Sequence, residues 1–306
     1  MSGRYPDWAT LGPQWPHHEA SRFVEAGGYR WHVQEMGLAD KAAAPVCLLI
    51  HGTGAATHSW RGLMPLLAAR FRVVAMDLPG HGFTTAQRIG RVTLPGMAAS
   101  VWALMDALGF APQLIVGHSA GAAIGAQMLI GMGGTTPLIG VAPALMPFPG
   151  LAAKLFPSLA RILFTNPFTA IIFSRLASGP GETARFLRRA TGSTIDADGL
   201  RCYEQLFGTS GHCDGAIRMM ANWDLERLHD QLPQLAAPTL LVRAGGDKAI
   251  LASAIDGAAA LIPGAVIEHM PKLGHLAHEE DAGAAATIVF RFAQRHGLVG
   301  EENGDG

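Results

Sequence analysis

The run Gln113-Leu114-Ile115-Val116-Gly117-His118-Ser119-Ala120-Gly121 opens like a buried strand and closes on a Gly-x-Ser-x-Gly pentapeptide. Between a strand and a helix, that pattern marks a nucleophile elbow. The turn lifts a serine hydroxyl above the sheet, and glycines flank it because no Cβ fits where strand and helix pass one another. As a bare pattern the pentapeptide is weak in a chain with 38 glycines. The apolar strand in front and the helix-compatible run Ala122 to Ile130 behind give it its weight.

The neighbouring segments extend the same reading. Ser21 to Met36 alternates around Gly27-Gly28 and predicts a β-hairpin. Val46 to Ile50, Arg72 to Met76 and Pro137 to Val141 read as strands, with helices over Trp60 to Ala69 and Leu94 to Leu108. Strands alternating with helices at this spacing predict a parallel sheet covered on both faces. From residue 147 to 231 the pattern is helical and broken by Pro and Gly, with no convincing strand. Alternation returns with strands over Thr239 to Val242 and Ala265 to Met270, and helices over Leu251 to Leu261 and Ala282 to Arg295. The expected organisation is an α/β core (21–146 and 232–298) with a helical cap (147–231) inserted between two of its strands. A short N-terminal extension (1–20) and a disordered tail (299–306) complete it.

Composition narrows the function classes. Apolar residues make up 49% of the 306 and charged residues 15%, so material for a core is ample. Lys and Arg number 23 against 24 Asp and Glu, so no global field draws in nucleic acid. The widely spaced Cys47, Cys202 and Cys213 imply no disulfide framework and fit a reducing compartment. The polar N-terminus has no signal-peptide pattern, and a cytoplasmic location is expected. Leu151 to Ala177 is the most apolar long stretch, yet Lys154, Pro157, Arg161, Pro167 and Arg175 interrupt it. It is not a membrane span, although amphipathic helices there would suit a pocket wall or a peripheral seat at the inner membrane.

A serine becomes a nucleophile when a base takes its proton and a third group holds that base in the right tautomer. Downstream of Ser119, Asp247 follows a predicted strand in Gly245-Gly246-Asp247, and His275 follows the next in Gly274-His275-Leu276. Both stand at carboxyl ends of parallel strands, where open α/β sheets build their sites. Asp247 could instead cap the following helix, the lesser reading. His275 with His278, Glu279 and Glu280 invites comparison with a metal cluster, but no second ligand set at metal spacing accompanies it. No metal and no cofactor is expected, and no phosphate-cradling loop is present. Asp77-Leu78-Pro79-Gly80-His81-Gly82 reads as a structural turn.

The order serine, acid, histidine, with a His51-Gly52-Thr53-Gly54 loop after the strand Val46 to Ile50, resembles the α/β-hydrolase superfamily from Ser21 to about His296. The resemblance implies a Ser119–Asp247–His275 triad. It also implies an oxyanion hole from the amides of Thr53 and Ala120, the first open by one residue. More specific are Ala26 to Gln34, His51 to Trp60, Thr191-Gly192-Ser193, Met219 to Leu225 and Gly274 to Glu280. These resemble the magnesium chelatase accessory proteins of bacteriochlorophyll biosynthesis. That likeness implies a part in the magnesium-insertion stage in phototrophic bacteria, with chelatase subunits as partners.

The expected ligand is an apolar ester or a tetrapyrrole. His51, His118, Phe148, Met219, Met220 and Trp223 are the candidate substrate contacts, although the two histidines suit holding loops better than doing chemistry. Two alternatives stand beside this reading: a carboxylesterase or carbon–carbon bond hydrolase for a small apolar substrate, and a porphyrin-binding partner that has inherited an idle triad.

Overall fold

The computed structural model describes residues 5–37, 44–86, 92–147 and 167–300. Phe148, most of Leu151 to Ala177 and the last six residues of the tail lie outside the described residues.

Among the described residues nine strands form one sheet: β1 (Ser21–Ala26), β2 (Tyr29–Met36), β3 (Val46–Ile50), β4 (Arg72–Met76), β5 (Thr85–Ala86), β6 (Leu114–His118), β7 (Leu138–Val141), β8 (Thr239–Ala244) and β9 (Val266–Met270). Their order is β1-β2-β4-β3-β6-β7-β8-β9, with β5 paired to β2. The β1–β2 hairpin is antiparallel and joins β4 antiparallel; from β4 through β3 to β9 every pair is parallel. The expected doubly covered α/β sheet is the observed one.

Burial follows from the covering. Every residue of β3, β6 and β7 is buried, as expected for parallel strands shielded on both faces. Side chains alternate: Leu48, Ile50 and Ile115 enter one core cluster with Ile124 and Met105, while Cys47, Leu49 and Val116 enter the other with Trp60, Val289 and Phe292. Each such Leu or Ile contributes roughly 1.5–3 kcal/mol by leaving water, which makes this sheet a rigid frame for the loops at its carboxyl edge.

Between β7 and β8 the described chain is helical: Pro167–Ala177, Glu182–Thr191, Ala197–Phe207, Ser210–Ala221 and Leu225–Gln231. The N-terminal segment is not loosely appended. Trp15 is buried with Phe83, Leu206 and Phe207, and its Nε1 donates to Thr57 Oγ1 at 3.0 Å. Residues expected as an extension therefore stitch cap and core together. Among the described residues no helix is long and apolar enough to cross a membrane.

Candidate active site

Ser119 joins β6 to the helix Ala120–Met132 with φ 51° and ψ −114°, a backbone state costly for any residue with a Cβ. Three main-chain hydrogen bonds hold it there: its N–H donates to Val141, and its carbonyl accepts from Ala122 and Ala144. The flanking glycines have a steric reason. A Cβ on Gly117 would strike the Ala122 backbone, and one on Gly121 would strike the Ile50 carbonyl. Only glycine lets the helix rise this close to β3 and β6.

Asp247 and His275 come together as their loop positions suggested. His275 Nδ1 lies 2.8 Å from Asp247 Oδ2, with the two side chains 8% and 2% exposed. An ionised carboxylate only accepts, so Nδ1 carries the hydrogen and Nε2 is left with its lone pair. Asp247 Oδ1 meanwhile takes the amides of Ala249 and Ile250 at 2.7 and 2.9 Å. Asp247 does not cap the following helix, Ala252–Leu261, whose N-cap is Leu251; its two oxygens divide otherwise. One shapes its own turn and the other holds the imidazole.

Ser119, His275, Ala120 and Thr53 all line one cavity of about 660 Å³. Among the described residues, neither Ser119 Oγ nor His275 Nε2 takes part in a hydrogen bond, and the Thr53 and Ala120 amides also have no partner. A serine, a histidine and two residues with unpartnered amides therefore share one cavity wall. Gly52 brings the Thr53 loop against the elbow, since a Cβ there would press on His118 and on Ser119. Gly54 takes φ +78° at the third position of the turn closed by Ala55 N–H on the Gly52 carbonyl, where glycine is favoured.

The other expected contacts divide. His118, Met220 and Trp223 line the cavity, with Phe186, Leu187, Tyr203 and Phe207 from the cap. His51 and Met219 do not line it: both are fully buried behind the wall. His51 donates from Nδ1 to the Gly52 carbonyl at 2.7 Å and accepts Leu78 N–H on Nε2 at 2.9 Å, a strut between the loops after β3 and β4. Met219 Sδ receives the Thr53 hydroxyl at 3.6 Å. Phe148 lies outside the described residues.

His278, Glu279 and Glu280 hold structure. Glu279 is buried and accepts from Ser59, Tyr203 and Arg61. Ser59 spends its hydrogen on Glu279, so its oxygen accepts from His278 Nε2 at 2.9 Å. Glu280 takes the amides of Gly274 and Thr194, one on each oxygen. Among the described residues no group of three such side chains suits a metal ion. The Asp77 turn is structural too. Burial alone would raise its carboxyl, but His32 at 2.8 Å outweighs that and holds it below the usual carboxylate range.

Sequence reasoning did not single out how the cap reaches the triad loops. The carbonyl of Thr191 accepts His275 N–H at 2.8 Å and Lys248 N–H at 3.4 Å, and Ser193 Oγ accepts Leu276 N–H at 2.8 Å. Thr191-Gly192-Ser193 thereby pins the loops of both Asp247 and His275. The signal was present only as Thr191-Gly192-Ser193 among the segments that carried the resemblance.

Comparison with known proteins agrees with this architecture. The chain is 38% identical over 287 residues to the magnesium-chelatase 30 kDa subunit of Rhodobacter capsulatus, covering 93% of this chain and 98% of that protein. It is 29% identical over 285 residues to the dihydrolipoyllysine-residue acetyltransferase component of the acetoin cleaving system of Pseudomonas putida, covering 90% and 70% respectively. The enol-lactonase of Burkholderia xenovorans LB400 superposes with a TM-score of 0.72 at 20% identity over 89% of this chain and 100% of that one, a likeness of fold. The model of the alpha/beta hydrolase family matches residues 47–287, and the chain belongs to that family.

Proposed function

We propose that this protein is a serine hydrolase serving magnesium tetrapyrrole synthesis, cleaving an ester-like bond in a large apolar substrate. One observation carries the chemistry: a histidine held by a buried carboxylate shares a cavity wall with a strained serine and two unspent amides. The pathway rests on similarity to a magnesium-chelatase subunit along nearly the whole chain. A cavity of about 660 Å³ falls in the range of roughly 300–1,000 Å³ typical of sites that enclose a whole organic ligand.

In the reaction Ser119 Oγ attacks the carbonyl carbon while its proton passes to His275 Nε2. Charge builds on the carbonyl oxygen and is met by the Thr53 and Ala120 amides, each worth on the order of 10²–10³ in rate. The intermediate collapses to an acyl-serine, and the imidazolium returns the proton to the leaving oxygen. Water, activated by the same Nε2, then hydrolyses the acyl-serine and releases the acid. Asp247 keeps Nδ1 protonated throughout.

Labelling by an alkyl fluorophosphonate tests the site: the wild-type protein reacts and Ser119→Ala does not. Undiminished labelling of Ser119→Ala removes Ser119 as nucleophile. A binding role, with the triad idle, is favoured by the apolar cap wall of Phe186, Leu187, Phe207 and Met220. Complementation separates the two: a Ser119→Ala copy that restores full pigment accumulation in a phototrophic host supports binding, and one that fails supports catalysis.

A further inference from the structure

The loop that carries the Thr53 amide is held from the cap. His212, on the first turn of the helix Ser210–Ala221, is fully buried. Gly82 N–H donates to its Nδ1 at 3.0 Å, so that nitrogen is unprotonated. Nε2 therefore carries the hydrogen and donates it to the Gly54 carbonyl at 3.0 Å. One imidazole thus bridges the turn after β4 and the loop after β3, from an element that belongs to neither.

The helix is seated tightly enough to make that bridge rigid. Three residues beyond His212, Gly215 packs backbone against backbone on Gly80, and a Cβ there would collide with the Gly80 carbonyl. Two turns on, Met219 receives the Thr53 hydroxyl, while Met220 and Ala221 line the cavity. The same helix that lines the cavity through Met220 and Ala221 holds the Thr53–Gly54 loop through His212 and Met219.

We propose that His212 is a positioning residue that fixes the Thr53 amide from the cap, so that seating of the helix Ser210–Ala221 sets the stabilisation of the oxyanion. The inference rests on the serine-hydrolase reading given above. His212 touches neither substrate nor reacting atoms. It acts by holding the Gly54 carbonyl, and with it the Gly54–Ala55 peptide; Ala55 N–H closes the turn on the Gly52 carbonyl, so the Gly52–Thr53 peptide that carries the Thr53 amide is held through that turn. A substrate that displaces the helix changes the aim of that amide, and one that packs well against Met220 and Ala221 preserves it.

The test compares the wild-type protein with Ser119→Ala, His212→Ala and His212→Gln. The readouts are hydrolysis of a p-nitrophenyl ester and the rate of labelling by an alkyl fluorophosphonate, whose phosphoryl oxygen takes the oxyanion position in the adduct. His212→Ala is expected to lower kcat and the labelling rate by roughly tenfold or more, with KM within about twofold of wild type. His212→Gln, whose side-chain amide accepts at one atom and donates at another, is expected to recover most of that loss. Nitrogen–proton correlation spectra of the wild-type imidazoles at pH 7.5 should show His212 as the Nε2–H tautomer, a readout that survives if the alanine variant does not fold.

Unchanged kcat in a folded His212→Ala protein, a loss carried by KM, or an Nδ1–H tautomer overturns the proposal. Failure of the hydrolase reading looks different. The wild-type protein would resist the probe, or Ser119→Ala would still react, and the inference would fall with that reading.

Discussion

Acidification should unfold this protein chiefly through its buried histidines. His51, His58, His81, His118, His212 and His278 are all buried, and burial is the main cause that pushes each below the ordinary histidine value. His212 is lowered to about 4 and His278 to about 3. A histidine lowered by folding binds its proton more readily when unfolded. Its stabilising effect is therefore complete above the unfolded pKa of about 6.5 and drains as pH falls toward the folded value.

At pH 5.5 the His212 and His278 shifts each correspond to a loss of ~1 kcal/mol, and at pH 4.5 to a loss approaching ~3 kcal/mol. Together they remove ~5 kcal/mol by pH 4.5, against a total stability of roughly 5–15 kcal/mol for a folded protein. The other four histidines act in the same direction. Glu279 opposes them, because burial raises its carboxyl and favours the protonated, folded form. Asp77, held low, titrates below this window.

Urea unfolding followed by tryptophan fluorescence at half-unit steps from pH 7.5 to 5.0 measures the slope. It should reach ~2 kcal/mol per pH unit below pH 6, and His212→Gln should lower it by about one proton's worth. Unfolding free energies that stay flat from pH 7.5 to 5.5 would refute the reasoning, because they would mean that these imidazoles reach water or a counter-charge in the folded state.

Two further substitutions follow from the hydrogen bonds of the site. Asp247→Asn keeps an oxygen for the Ala249 and Ile250 amides but no longer fixes the imidazole tautomer. Ester turnover should fall on the order of 10³–10⁴-fold, with the urea midpoint close to wild type; retention of turnover would remove Asp247 from the mechanism. Glu279→Gln leaves the mostly buried Arg61 paired only with the exposed Asp196, and should cost about 3 kcal/mol by urea unfolding. A cost under ~1 kcal/mol would mean that Arg61 rotates to solvent instead.

Much of the sheet is legible from local pattern. The bounds of Val46–Ile50, Arg72–Met76 and Leu94–Leu108 fall where periodicity and flanking residues put them. A strand buried on both faces leaves an uninterrupted apolar run that needs no tertiary knowledge to see. The Asp247 and His275 loops are legible for a related reason, since each follows such a run directly. What escapes is orientation. Met219 and Met220 are adjacent on one helix and point about 100° apart, so one touches Thr53 and the other lines the cavity. The buried histidines escape for a deeper reason. His51, His118 and His212 are polar letters in the sequence, and only partners brought from distant segments explain their burial. Trp15 is the same case, for its place against Thr57 and Phe83 comes from tertiary packing alone.

The backbone of Ser119 separates catalysis from carriage. Holding a non-glycine residue at φ 51° and ψ −114° costs on the order of 1–3 kcal/mol. A carrier gains nothing from that strain, whereas a nucleophile gains its exposure above the sheet. Ser119→Gly should therefore relieve the strain and, after about 0.4–1 kcal/mol is returned through the more flexible unfolded chain, still raise stability by about 1 kcal/mol. For a chain of 306 residues that is a rise of roughly 1–2 °C in Tm. If the protein is a hydrolase, the stabilised variant should lose probe labelling and fail to restore pigment in a host lacking the gene. A variant that is more stable and restores pigment fully would show that the strain serves no reaction, and the hydrolase mechanism would be refuted. No change in stability would instead show that the three hydrogen bonds from Val141, Ala122 and Ala144 already absorb the cost of the turn.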